Sequence, residues 1–294
     1  MESIRSRLLK FMAGMMLRSA YRSEIGVDTL RRGEAQLPTV RMATGCKIEN
    51  RSVDDVLFSI LTPEQQRSEQ VLFYVHGGAW VSGPSGPQWQ LLARLCRDTG
   101  RRGVLMNYRR APEFTVNEGM ADVLSVNRYV RDVMGADDIV FVGDSAGANL
   151  ATGTFFKLLD DGQPLPSKLV LLSPCVDIRV DHPDTPIAEK NDPVMATAGL
   201  RDAGRKWAGD VDLAHPYVSP INGDLSQLPP TLMVTSNFDT FYPDCKAFYE
   251  KASAAGTSIP FLECDRMMHI WFMFASFVPE GEAALEATVA YING

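Results

Sequence analysis

Four short segments of this chain carry residue types that could do nucleophilic chemistry together. The first is Gly143-Asp144-Ser145-Ala146-Gly147, which follows the apolar run Ile139-Val140-Phe141-Val142 and opens a helix-forming stretch from Ala148. A serine on a tight strand-to-helix turn, with glycine two positions to either side, is a nucleophile elbow. The turn strains the serine backbone, and a side chain at either flanking position would collide with neighbouring main chain. The following helix would aim free N–H groups and its positive end at the reacting centre.

A serine hydroxyl is a weak nucleophile near neutral pH and needs a base within hydrogen-bond reach, usually a histidine oriented by a carboxylate. The histidines are His76, His182, His215 and His269. His76 belongs to a glycine loop, and His182 and His215 lie in or beside a polar insertion. The chain order serine, acid, histidine singles out His269. For the acid, Asp239 directly follows the apolar run Thr231–Thr235, with Asp244 and Asp265 as rivals. Asp244 falls within the next predicted helix, and Asp265 is only four residues from His269, so Asp239 is preferred. Acyl transfer also needs donors for the oxyanion. His76-Gly77-Gly78-Ala79-Trp80, just past the strand-like Val71–Val75, supplies a backbone-donor loop. The N–H groups of Gly78 and Ala79, with that of Ala146, would form the hole.

These segments need a frame. Apolar runs of five or six residues alternate with amphipathic helical stretches. Strands are expected at 38–42 (an edge strand), 56–61, 71–75, 104–108, 139–142, 168–172, 231–235 and 259–263. Helices are expected over 88–99, 116–134, 243–255 and 280–292. That alternation predicts an α/β protein with a mostly parallel central sheet flanked by helices. His76, Ser145, Asp239 and His269 all fall just past predicted strand ends, where such sheets place their function. From 177 to 216 the alternation stops. The segment is polar and proline-bearing, with helical pieces around 198–207, and is expected to sit above the sheet.

The 294 residues allow one large domain. A formal net charge of −7 makes nucleic acid an unsuitable partner. The five cysteines, scattered and without a CxxC pair, are expected to be reduced thiols of a cytoplasmic protein. No metal or cofactor is implied. Residues 1–20 resemble a signal peptide only superficially, because Arg18 and Arg22 follow the apolar run and no small-residue cleavage site does. Ile4, Leu8, Phe11, Met12 and Met15 share one helix face, which could cover the active site, dock on a partner or rest on a membrane surface as in a membrane-associated lipase; covering the body of the protein is the preferred expectation. No stretch is long enough for stable membrane insertion.

Taken together, these motifs resemble the hormone-sensitive lipase family of α/β-hydrolases over roughly residues 70 to 275. His76–Trp80 looks like the family's HGGG motif, Gly143–Gly147 its GDSAG elbow, and Tyr108-Arg109-Arg110-Ala111-Pro112-Glu113 its YRLAPE segment. Leu172-Ser173-Pro174, Val218-Ser219-Pro220 and the Asp239/Asp244 spacing also have counterparts. Ala79 in place of the third glycine, Arg110 in place of an apolar residue, and Ile270-Trp271 after the histidine depart from the pattern and bear on substrate size.

The resemblance implies a single α/β-hydrolase domain. A helical cap would be built from about residues 1–35 and 177–216. It also implies hydrolysis of small carboxylic esters, usually short-chain, with Ser145 as nucleophile, His269 as base then acid, and Asp239 as its orienter. Trp80, Val194, Met195 and Trp207 are expected to line the acyl or alcohol pocket, with ordinary packing as the alternative. The same triad could cleave an amide or act as a deacetylase. The fold also serves as a non-hydrolytic ligand-binding receptor where the histidine is lost, and the retained His269 argues against that. A homodimer is a compatible assembly.

Overall fold

The structure is a computed structural model that describes residues 2–294; Met1, the first residue of the expected cap, lies outside them. Eight strands form one sheet: β1 (Cys46–Val53), β2 (Val56–Pro63), β3 (Val71–Val75), β4 (Arg102–Met106), β5 (Ile139–Asp144), β6 (Lys168–Leu172), β7 (Thr231–Ser236) and β8 (Phe261–Cys264). Their spatial order is β1-β2-β4-β3-β5-β6-β7-β8. The six strands from β4 to β8 in that order run parallel, and the β1–β2 pair joins β4 antiparallel at the edge. The strand order reverses direction around β3, which lies beside both β4 and β5. That reversal opens a crevice at the carboxyl end of the sheet.

Nine α-helices accompany the sheet among the described residues: α1 (Ile4–Leu17), α2 (Val27–Arg31), α3 (Gly86–Thr99), α4 (Val116–Asp132), α5 (Ala146–Asp160), α6 (Thr185–Asn191), α7 (Thr197–Ala208), α8 (Tyr242–Ala254) and α9 (Pro279–Asn293). The long body helices start where the sequence offers caps. The Ser85 and Thr115 side chains accept from the N3 amide of α3 and α4, and Gln88 and Glu118 reach back to the cap backbone. The core follows from composition: every residue of β3, β5 and β7 is buried, as parallel strands covered on both faces require.

The sequence expectations hold for the fold class and for seven of the eight strands. The edge strand expected at 38–42 does not form. Residues 40–45 are turn, and Val40 is exposed to solvent. The edge strand is β1 instead, a polar segment with little burial. It is held by its register against β2 across a two-residue turn at Asp54-Asp55, both with positive φ. A second expectation also fails. The apolar face of α1 does not cover the protein: Ile4, Leu8, Phe11, Met12 and Met15 are all exposed, while Ser6 and Ala13 on the opposite side are buried.

The N-terminal segment and the 177–216 insertion lie against each other. Gly14 sits against Pro193, the Ile25 amide donates to Asp202 of α7, and an Arg18 guanidinium donates to the Asp192 carbonyl. Gly199 of α7 approaches the Tyr21 backbone so closely that no Cβ would fit. These contacts make the two segments one unit.

Candidate active site

The turn from β5 into α5 presents Ser145 with φ 53° and ψ −124°, a left-handed-side conformation that L-residues avoid. Two glycines permit it. A Cβ on Gly147 would lie 2.1 Å from the Val75 carbonyl oxygen, and one on Gly143 would lie 2.7 Å from Cα of Ala148. Either contact would push the turn open. The G-x-S-x-G spacing therefore records the close crossing of α5 over β5 and over the end of β3. The Ser145 amide donates to the Leu172 carbonyl at 2.9 Å, which ties the turn to β6.

His269 lies five residues past the end of β8 and reaches the serine. Its Nε2 is 2.8 Å from Ser145 Oγ, and its Nδ1 is 2.8 Å from Asp239 Oδ2. Asp239 sits three residues past β7, and its other oxygen accepts from the Phe241 amide at 2.9 Å. All three side chains are buried. Burial alone would lower the His269 pKa. The carboxylate of Asp239, with those of Asp192 and Asp144, outweighs it and raises the value above the ordinary histidine range. The rival acids lie elsewhere: Asp265 is exposed and accepts from the Asn237 side chain, and Asp244 is in the first turn of α8 facing Asp177 and Arg179.

The loop after β3 faces the elbow. Gly78, Ala79 and Trp80 have consecutive positive φ values of 123°, 52° and 59°. That path turns the amides of Gly78 and Ala79 away from every protein acceptor among the described residues. The amide of Ala146, first in α5, is likewise free of the helical ladder.

Buried polar contacts hold this loop rigid. Asp144, beside the serine, accepts from the Gly77 amide at 2.9 Å, the Tyr74 hydroxyl at 2.8 Å and the Gln88 amide group. Burial raises its pKa despite these donors. His76 stacks on Tyr108 at 4.3 Å, donates from Nδ1 to the Gly77 carbonyl, and is pushed down to about 3 by burial and by Arg110. It is a neutral brace at working pH. Arg110, the departure from an apolar family position, donates to Asn107 and to the Gly83 carbonyl.

Arg31 of α2 completes the clamp. It donates to the carbonyls of Val81 and Ala111 and makes a bidentate pair with Glu113 at 2.7 and 2.6 Å.

Of the four expected pocket residues, Trp80 and Trp207 are fully buried. Trp207 lies over Gly119 of α4 and edge-on to Tyr108, the packing role left open by the sequence. Val194 and Met195 are also buried, and their amides both donate to Asp192 Oδ1. Asp192 itself carried no signal in the sequence. Its second oxygen accepts from the amide and hydroxyl of Thr240. Burial, and then the neighbouring Asp239 charge, push its carboxyl up to about 6.

Comparison with known proteins identifies the family of the fold. A family model described as the alpha/beta hydrolase fold matches residues 72–273. An acetyl-hydrolase of Streptomyces hygroscopicus is 30% identical over 226 residues, covering 76% of this chain and 75% of its own. An esterase of Acinetobacter venetianus is 30% identical over 224 residues, covering 75% and 74%. A crystal structure of an esterase from the bacterial hormone-sensitive lipase family superposes with a TM-score of 0.88 at 26% identity, covering 100% of this chain and 98% of that one. The chain belongs to the hormone-sensitive lipase family of α/β-hydrolases. The Ala79 departure from the family's third glycine now has a structural content, since the residue occupies a left-handed conformation that glycine adopts without strain. No helix among the described residues is long and apolar enough to cross a membrane.

Proposed function

We propose that this carboxylic ester hydrolase works as a serine esterase on small, short-chain esters through an acyl-enzyme intermediate. The observation that carries the reading is the hydrogen-bonded chain Ser145–His269–Asp239 lying beside three unengaged backbone amides. Ser145 Oγ attacks the ester carbonyl carbon while His269 Nε2 takes its proton. The oxygen that becomes negative is held by the N–H groups of Gly78, Ala79 and Ala146; each such donor is worth about 3 kcal/mol in acyl transfer. Collapse of the tetrahedral adduct expels the alcohol, which receives the proton from His269. Water then repeats the sequence on the acyl-serine and releases the acid. Asp239 holds the imidazole in the tautomer that presents Nε2 as acceptor and stabilises the imidazolium that forms.

A short acyl chain is supported by how tightly the nucleophile is enclosed: Ser145 is only 6% exposed, with buried Trp80, Val194 and Met195 as the proposed pocket lining. The segments 2–35 and 177–216 act as the cap. A cytoplasmic setting is consistent with five free cysteines. The test compares wild type with Ser145→Ala on p-nitrophenyl acetate and p-nitrophenyl laurate. The reading requires turnover of the acetate by wild type alone and a marked preference for acetate over laurate. Equal rates for the two proteins would refute it.

A further inference from the structure

The outer face of α1 is an apolar stripe with no covering in the fold. Ile4, Leu8, Phe11, Met12, Met15 and Met16 span an arc of roughly 140° around the helix, and Ile4, Phe11, Met15 and Met16 are 67–84% exposed. Six large apolar side chains on one short helix form a contiguous patch of a kind that soluble surfaces rarely leave bare.

The charge around this stripe selects what covers it. The chain as a whole has a formal net charge of −7. Residues 2–22 run against it, with five basic residues and one acidic. Lys10 is held by Glu2 and the Arg266 carbonyl, and Arg18 by the Asp192 carbonyl. Arg5, Arg7 and Arg22 are exposed at the surface: Arg7 borders the apolar arc and lies 3.9 Å from Glu2, while Arg5 falls within the arc between Met12 and Met16, over the Phe277 ring. An exposed apolar helix face with cationic side chains in and beside it suits the interface of a negatively charged bilayer. A second copy fits poorly, because a two-fold contact through this stripe would set two segments of the same net positive charge against each other.

The inner side of α1 rests on the active-site surroundings. Gly14 lies against Pro193, Ser6 Oγ contacts Met267 Sδ at 3.3 Å, and Lys10 Nζ donates to the Arg266 carbonyl at 3.1 Å. Met267 is two residues before His269. One helix therefore has its inner face on the segment carrying the catalytic histidine and its outer face bare. We propose that the outer face of α1 is a docking surface for an anionic phospholipid bilayer, which the protein binds peripherally without insertion of a spanning segment. Docked this way, the histidine loop lies one helix diameter, about 10 Å, beneath the lipid headgroups.

The experiment is vesicle co-sedimentation of the full chain. One set of vesicles is phosphatidylcholine alone, and the other is equal parts phosphatidylcholine and phosphatidylglycerol. Wild type is expected to pellet with the anionic vesicles, to stay in solution with the neutral ones, and to be released as salt is raised. Phe11→Ser with Met15→Ser is expected to weaken binding by more than about tenfold, and Arg5→Gln with Arg7→Gln by about fivefold per arginine. All four positions are exposed, so the variants should keep wild-type turnover of a soluble ester. The proposal is overturned if wild type ignores the anionic vesicles, if it binds both kinds equally, or if the Phe11/Met15 variant binds as well as wild type. It is also overturned if wild type leaves vesicles alone but forms a dimer in sedimentation velocity that the Phe11/Met15 variant loses, since the stripe then belongs to a second copy. Binding is read without turnover, so it stands or falls separately from the esterase reading.

Discussion

The carboxylate of Asp192 accepts hydrogen bonds from both the amide and the hydroxyl of Thr240, the residue next to Asp239. Asp192 belongs to the insertion, and its other oxygen holds the amides of Val194 and Met195. Its backbone carbonyl accepts from Arg18 of the N-terminal segment. One buried residue thus joins the N-terminal segment and the 177–216 insertion to the loop that carries Asp239.

Replacing Asp192 by Asn keeps the size but turns an amide N–H₂ toward donors, or leaves one pair of donors unmet. The expected result is a kcat about tenfold lower through misplacement of Asp239. The pH profile separates this from simple loosening. The Asp192 charge helps hold the His269 pKa up, so removing it should move the acid limb of kcat/KM to lower pH. An unmoved acid limb would confine Asp192 to packing.

Asp239→Asn should lower kcat by about four orders of magnitude, because the imidazole loses the partner that fixes its tautomer. Asp265→Asn should leave kcat within about twofold, since its exposed contact with Asn237 is remote from the histidine ring. Steady-state kinetics on a chromogenic acetate checks both.

Asp244 makes an opposite kind of statement, about stability. Its carboxyl is buried, one oxygen has no partner, and burial with the nearby Asp177 and Asp181 charges pushes it up to about 7. A carboxyl with a raised folded-state pKa binds its proton more tightly when folded. Its ionisation therefore costs stability as pH rises from about 4 through 7. Asp244→Asn should raise the unfolding free energy at pH 8 by on the order of 2 kcal/mol, with the gain vanishing below pH 4. Denaturant melts across that range measure it; a gain independent of pH would contradict the assignment.

Ala79 has φ 52°, where a Cβ is strained. Ala79→Gly should stabilise the fold by on the order of 1 kcal/mol. The urea midpoint should rise with an unchanged m-value.

The parts legible in the sequence were those set by local rules. Buried parallel strands such as Val71–Val75 announce themselves as unbroken apolar runs, and the elbow glycines by their spacing around Ser145. β1 was not legible, because Cys46–Val53 is polar and its strand state comes from pairing with β2 across Asp54-Asp55 rather than from its own pattern. The α1 face was misread for a related reason: helical periodicity shows that an apolar stripe exists, and says nothing of which side the rest of the chain packs on. Asp192 and Arg31 were invisible because their roles depend on contacts from 48 to 174 residues away in sequence.

The central claim is that the Oγ of Ser145 is the atom that becomes acylated. A phosphonate ester that mimics the tetrahedral adduct tests it directly, with peptide mass spectrometry to locate the label. The account predicts loss of activity in proportion to a single adduct on the peptide containing Ser145, and no labelling of His269→Ala at a comparable rate. Full inactivation with the label on another residue, or full labelling of Ser145 with activity intact, would contradict it.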